Sequence, residues 1–104
     1  MKQVAFEMKL NPGKELEYKK RHDEIWPELV TLLKTTGISE YSIFLNESTG
    51  SLFGVLNIND ELALDELPKQ PIMQKWWAYM KDIMLTHPNN SPVSIPLTHV
   101  FYLP

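Results

Sequence analysis

Residues 38–59 read Ile38-Ser39-Glu40-Tyr41-Ser42-Ile43-Phe44-Leu45-Asn46-Glu47-Ser48-Thr49-Gly50-Ser51-Leu52-Phe53-Gly54-Val55-Leu56-Asn57-Ile58-Asn59. Tyr41, Ile43 and Leu45 share one face of an extended segment and Ser42 and Phe44 the other, the period of two that marks a strand. Asn46 to Gly50 is a cluster of turn formers, and residues 51–59 are apolar again. Strand, turn and strand in this order predict a hairpin.

Working upstream, Val4, Phe6, Met8 and Leu10 alternate with Ala5, Glu7 and Lys9, so residues 3–10 predict a further strand. Asn11-Pro12-Gly13 supplies a helix start, with Asn11 as the cap and Pro12 at the first helical position. Lys14 to Thr36 has helical periodicity and Gly37 is a natural stop. Pro27 lies inside it. A proline removes a backbone donor and clashes with the carbonyl four residues back, here that of Asp23, so two helical pieces are expected.

Downstream, residues 60–71 are weakly helical and Met73 to Leu85 predicts a helix of large side chains. His87 to Pro96 holds three prolines and reads as an extended loop, with a last strand over Leu97–Leu103. The order β-α-β-β-α-β is the ferredoxin-like arrangement, an α+β fold with an antiparallel sheet and its helices on one face. Strand positions on both faces are apolar: Phe44 opposes Tyr41 and Ile43, and Val100 and Tyr102 oppose Phe101 and Leu103. Two copies packed sheet to sheet would cover that surface, so a homodimer is expected.

The chain has 104 residues and 43% hydrophobic content, which predicts one folded domain spanning residues 1–104. Its net charge of −3 argues against general nucleic-acid binding, which needs clustered Lys and Arg to neutralise phosphates. With no cysteine, disulfides, thiol catalysis and thiolate metal sites are excluded. His22, His87 and His99 have no paired ligand spacing, so no metal is expected. No apolar run is long enough to span a bilayer, and the N-terminal residues carry no apolar signal core; a cytoplasmic protein is expected.

The first helix carries the chemistry. Tyr18, His22 and Trp26 recur every four residues, on the side that continues as Ile25, Leu29, Leu32 and Leu33. A half-buried imidazole beside a phenol suits acid–base work near neutral pH; the alternative is a core histidine bonded to a backbone carbonyl. Trp76 and Trp77 are adjacent, and neighbouring helix positions diverge by ~100°, so one ring is expected in the core and the other at a rim or interface. A rim tryptophan offers a flat apolar face and one N–H, which suits a sugar ring; a dimer contact is the alternative. Tyr41 is expected inward, as a site residue or as plain core.

Tyr18-Lys19-Lys20-Arg21-His22, Ile25-Trp26-Pro27-Glu28-Leu29, Gln74-Lys75-Trp76-Trp77-Ala78-Tyr79-Met80, Asn90-Ser91-Pro92-Val93 and Val100-Phe101-Tyr102-Leu103-Pro104 together resemble the L-rhamnose mutarotases. The resemblance covers nearly the whole chain. It implies a cofactor-free, dimeric α+β barrel enzyme that interconverts the α and β anomers of L-rhamnose. It places the proton-donor histidine on His22 and the sugar-contacting positions on Tyr18, Tyr41, Trp76 and Trp77. As a donor, His22 should lose activity at pH values well above its pKa. Two rivals remain: a cofactor-independent monooxygenase on a similar dimeric barrel, and a non-catalytic small-ligand binding module.

Overall fold

The computed structural model describes all 104 residues. Strand β1 spans Lys2–Lys9, helices α1 and α2 span Glu15–Asp23 and Pro27–Thr36, and strands β2 and β3 span Ile38–Asn46 and Ser51–Ile58. A 3₁₀ segment, Glu61–Lys69, leads into α3, Pro71–Met80, and the two-residue strand β4 is Ile95–Pro96. The sheet is antiparallel with order β2-β3-β1-β4.

Pro27 divides the first helical region as its chemistry requires. α1 ends at Asp23, the residue whose carbonyl the ring would strike in a continuous helix, and Pro27 opens α2 at a position where no backbone donor is needed. Trp26 between them is extended, with φ −65° and ψ 131°, the conformation a following proline favours. The expected cap at Asn11 does not form. Asn11 is held outside the helix, its backbone N–H on the Ile83 carbonyl at 2.9 Å and its side-chain amide on the Asp82 carbonyl at 3.4 Å; Gly13 turns with φ +78°, and α1 begins at Glu15. The hairpin forms as the sequence predicts, closed by Gly50 N–H on the Asn46 carbonyl at 2.8 Å.

One sheet face carries the helices. Met8, Leu10 and Leu52 meet Leu29, Met73, Trp76, Met80 and Ile83 in the main core. Ile38, Leu56 and Ile58 form a smaller cluster with Leu33, Leu64 and Leu67. Full burial of a Leu or Ile side chain is worth ~1.5–3 kcal/mol, so these rows hold the helices on the sheet. The opposite face bears Ser42, Phe44, Phe53 and Val55, paired as Phe44 with Phe53 and Ser42 with Val55. No helix covers it, and Phe44 is 64% exposed.

The last strand differs from expectation. Pairing with β1 is at Ile95–Pro96, followed by one bond from Leu97 N–H to the Ala5 carbonyl at 2.9 Å. Residues 98–104 pair with nothing and are exposed. An isolated copy gives this apolar segment no second strand and no facing layer.

Candidate active site

A cavity of about 1090 Å³ opens between the sheet and the helices. Tyr18, His22, Tyr41, Trp76 and Trp77 all line it, so one space gathers the residues that the sequence singled out from three separate elements. Phe6, Ile43 and Leu45 supply its sheet wall, and Ser91, Pro92 and Ser94 supply rim from the loop before β4.

α1 presents Tyr18 and His22 one turn apart, their rings stacked at 4.3 Å with a 31° tilt. His22 Nδ1 lies 3.0 Å from the Tyr18 backbone carbonyl. A carbonyl only accepts, so Nδ1 carries the proton, and in the neutral ring Nε2 keeps its lone pair. Burial lowers the His22 pKa below its ordinary value, and the bond to the Tyr18 carbonyl offsets this only in part. The imidazole therefore rests neutral at pH 7, with Nε2 ready to accept a proton. This changes the expected pH dependence: protonation from the acid side blocks the resting form, whereas a simple resting acid would fail on the alkaline side.

Both tyrosines hold their protons. Burial, with the neighbouring Tyr41 adding to it, raises the Tyr18 phenol well above its usual range. Tyr41 is 38% exposed as a residue and lines the cavity, where desolvation pushes its phenol up to about 12. At neutral pH each offers an O–H donor and acceptor lone pairs.

Trp76 is buried, edge-on to His22 at 5.4 Å and to Trp26 at 5.1 Å. Trp77 is half-buried and lines both the main cavity and a smaller one of about 350 Å³ bordered by Asn89, Asn90 and Ser91. The pair divides as the helix geometry predicts, one ring in the core and one at a rim. The rim loop is more compact than an extended segment: His87 N–H bonds the Ser91 carbonyl at 2.8 Å and Asn90 N–H the His87 carbonyl at 2.9 Å.

Three residues that position the site escaped the sequence reading. Gly54 lies over the Phe6 ring, and a Cβ there would stand 2.4 Å from Cζ. Its lack of a side chain lets Phe6 lie flat in the cavity wall, edge-on to Tyr41 at 6.2 Å. An isolated glycine inside a strand is the signal for such close approach. Glu40, at φ +51°, is the extra residue where the β2–β3 register shifts between Ser39 and Ser42. This bulge changes the parity, so that Ile38 and Tyr41 face the same side. The signal was an even-numbered inward residue followed by odd-numbered ones. Arg21 is the third. Its Nε donates to Glu17 Oε2 at 2.8 Å, and its guanidinium reaches the Tyr79 carbonyl and Asp82 at the far end of α3, 4.4 Å above the Tyr79 ring.

The site offers one neutral imidazole, two protonated phenols and aromatic faces. No group of three or more His, Cys, Asp or Glu side chains is placed to hold a metal ion, and no helix is long and apolar enough to cross a membrane. Fold and site together define a ferredoxin-like α+β protein with an acid–base pocket lined by aromatic rings. The family model described as L-rhamnose mutarotase matches residues 3–103, and the chain belongs to that family. It is 58% identical to the L-rhamnose mutarotase of Jannaschia sp. (strain CCS1) over all of both chains. It is 61% identical to that of Mesorhizobium japonicum over 95% of this chain and 94% of the relative. The crystal structure of the L-rhamnose mutarotase FA22100 from Formosa agariphila superposes with a TM-score of 0.93 at 49% identity, covering 100% of both chains. An antibiotic biosynthesis monooxygenase shares the fold at a TM-score of 0.51 and 14% identity, over 94% of this chain and 97% of that one.

Proposed function

We propose that this member of the family is an isomerase that interconverts the α and β anomers of L-rhamnose, with His22 as the principal proton carrier. The observation that carries the site assignment is the His22 geometry: Nδ1 tied to the Tyr18 carbonyl, with the ring bordering a cavity rimmed by phenols and indoles. Neutral Nε2 takes the proton of the anomeric hydroxyl. The bond from the anomeric carbon to the ring oxygen breaks, and the ring oxygen receives a proton from a second group. Tyr18 and Tyr41 are the protonated hydroxyls near His22 for that task. The open aldehyde rotates, the hydroxyl formed from the ring oxygen returns its proton to that second group as its oxygen attacks the other face, and the imidazolium gives its proton to the carbonyl oxygen. His22 is thus acceptor on opening and donor on closing. One positioned acid–base group supplies ~10²–10⁴-fold.

Trp77 at the rim supports the apolar face of the sugar, and Tyr18 and Tyr41 bind hydroxyls. Residues 1–104 act as one catalytic domain, without a cofactor, as a cytoplasmic homodimer whose partner molecule is a small sugar. The net charge of −3 gives nucleic acid no purchase. The monooxygenase reading is not favoured, since the likeness to that enzyme class extends to the fold alone. Saturation-transfer NMR on equilibrated L-rhamnose tests the proposal. Transfer between the two anomeric proton signals at a rate proportional to protein concentration is expected. Binding with no gain in exchange would leave a binding module in its place.

A further inference from the structure

Beside the main cavity lies the smaller one of about 350 Å³, bordered by Pro68, Gln74, Trp77, Asn89, Asn90 and Ser91. Its volume falls at the lower end of the ~300–1,000 Å³ of small-molecule sites, which is room for one ring-sized ligand. Pro68, Trp77 and Ser91 border both cavities, so the two meet at a common wall. The proposed reaction gives the smaller cavity no part: His22, Tyr18 and Tyr41 border the larger one only.

The chemistry of the border selects a class of ligand. None of its side chains carries a charge, so a phosphate, a carboxylate or a cation would find no ionic partner there. Gln74, Asn89 and Asn90 each place donor and acceptor on one planar group, which matches neighbouring hydroxyls that also donate and accept. Trp77 adds a flat apolar face for the C–H side of a ring. Amides around an indole suit a neutral sugar. Much of their bonding capacity is free. Gln74 Nε2 donates to the Pro68 carbonyl at 3.0 Å, and Asn89 Oδ1 accepts from the Ser91 N–H at 3.1 Å and hydroxyl at 2.6 Å. Gln74 Oε1, Asn89 Nδ2 and the whole Asn90 carboxamide remain for a ligand. The backbone bonds between His87, Asn90 and Ser91 hold the loop in place, so little ordering is left to be done on binding.

The order of the two cavities fixes how one ligand would span them. A sugar in the main cavity presents its anomeric carbon to His22, which does not border the smaller cavity. Whatever it carries across the rim at Trp77 and Ser91 must hang from another ring hydroxyl. The anomeric hydroxyl then stays free, as ring opening requires. We propose that the smaller cavity is a second sugar subsite, and that the protein equilibrates the anomers of disaccharides whose reducing-end unit is L-rhamnose. The inference rests on the anomer exchange proposed above and widens its substrate class.

Saturation-transfer NMR on the parent protein, with L-rhamnose and with disaccharides of two L-rhamnose units joined in turn through each ring hydroxyl, tests the subsite. At least one disaccharide should exchange its reducing-end anomers with a KM about tenfold below that of the monosaccharide, from added stacking and hydrogen bonds. Asn90 has φ +73°, so Asn90→Gly removes the carboxamide at a backbone conformation that glycine adopts freely. That variant should return the disaccharide KM to the monosaccharide value and leave kcat and KM for L-rhamnose unchanged. Gln74→Ala, on a helix where alanine is well tolerated, should act in the same direction. Exchange of L-rhamnose with no disaccharide of lower KM overturns the subsite and leaves the mutarotase reading intact. Variants that change both sugars equally also overturn it. No catalysed exchange of L-rhamnose itself would overturn both readings together.

Discussion

Arg21 holds Asp82 by two bonds, Nη1 at 2.9 Å from Oδ1 and Nη2 at 3.2 Å from Oδ2. The pair joins the helix that carries His22 to the end of the helix that carries Trp76 and Trp77. Asp82 is solvent-exposed, so its contribution to stability is small, about 1 kcal/mol or less. Its effect is on register: Arg21 also caps the Tyr79 carbonyl at 2.7 Å and covers the Tyr79 ring, which stacks on Trp26. Asp82→Asn is expected to leave the melting temperature within a few degrees of the parent. Because the bidentate bond is lost, anomer exchange should fall several-fold. The guanidinium holds the Asp82 carboxyl below the usual carboxylate range. A group with a depressed folded pKa stabilises above its unfolded value of ~3.9, and this is lost as pH falls through the folded one. Salt, or acid taken below the usual carboxylate range, should therefore weaken the tie, and NMR exchange rates measured against both would show it.

His22→Ala should remove most catalysed exchange, on the order of 10²-fold or more. The fold should persist, since the imidazole borders a cavity. In the parent, exchange should decline as pH falls below the ordinary histidine range, because the depressed pKa is crossed from the neutral side. Stability follows the same sign. The unfolded chain binds the proton more readily, so stability is present above the unfolded value and diminishes as pH falls. A folded His22→Ala protein exchanging anomers at the parent rate would remove His22 from the mechanism. A rate that rises on acidification would reverse the proposed resting state.

Substitutions at the two tryptophans should separate. Trp76 is core, packed on His22 and Trp26, so Trp76→Ala should cost ~3–5 kcal/mol and endanger folding. Trp77→Ala should stay folded and weaken sugar affinity about tenfold through loss of a stacking face, worth ~1 kcal/mol or more. Denaturant titration and ligand titration on the two variants check this. Equal destabilisation with unchanged affinity for Trp77→Ala would assign that ring to structure.

Gly54→Ala is expected to act on the site from outside it. The new methyl group would meet Phe6 at an impossible distance, so the ring must swing into the cavity or push toward Tyr41. Overpacking of this kind costs ~1–3 kcal/mol. The expected result is a lower melting temperature together with a raised KM. Phe6→Leu in the same protein should relieve part of both.

The local chemistry of the chain determined most of its elements. Alternation in 38–46 and 51–58 formed the hairpin because strand periodicity and turn composition are local signals. Pro27 divided the first helix because a ring without an N–H cannot sit mid-helix. The spacing of Tyr18 and His22 put them one turn apart on one helix face for the same reason, backbone geometry; Trp26, expected to continue that face, lies in the extended link before Pro27 and meets Trp76 from there. Tertiary structure alone decided the rest. Whether Asn11 caps a helix depended on where the fold holds it: its backbone N–H bonds the Ile83 carbonyl and its side-chain amide the Asp82 carbonyl, distant partners that no local pattern contains. The flat Phe6 ring needs the absent side chain of Gly54 on a neighbouring strand. His22 has a lowered pKa because the cavity wall removes water from its ring, a consequence of packing rather than of neighbours in sequence. The apolar segment Val100–Leu103 shows the limit most plainly. Its pattern marks it for burial on both faces, but one copy of the chain has only one layer of strands to offer it.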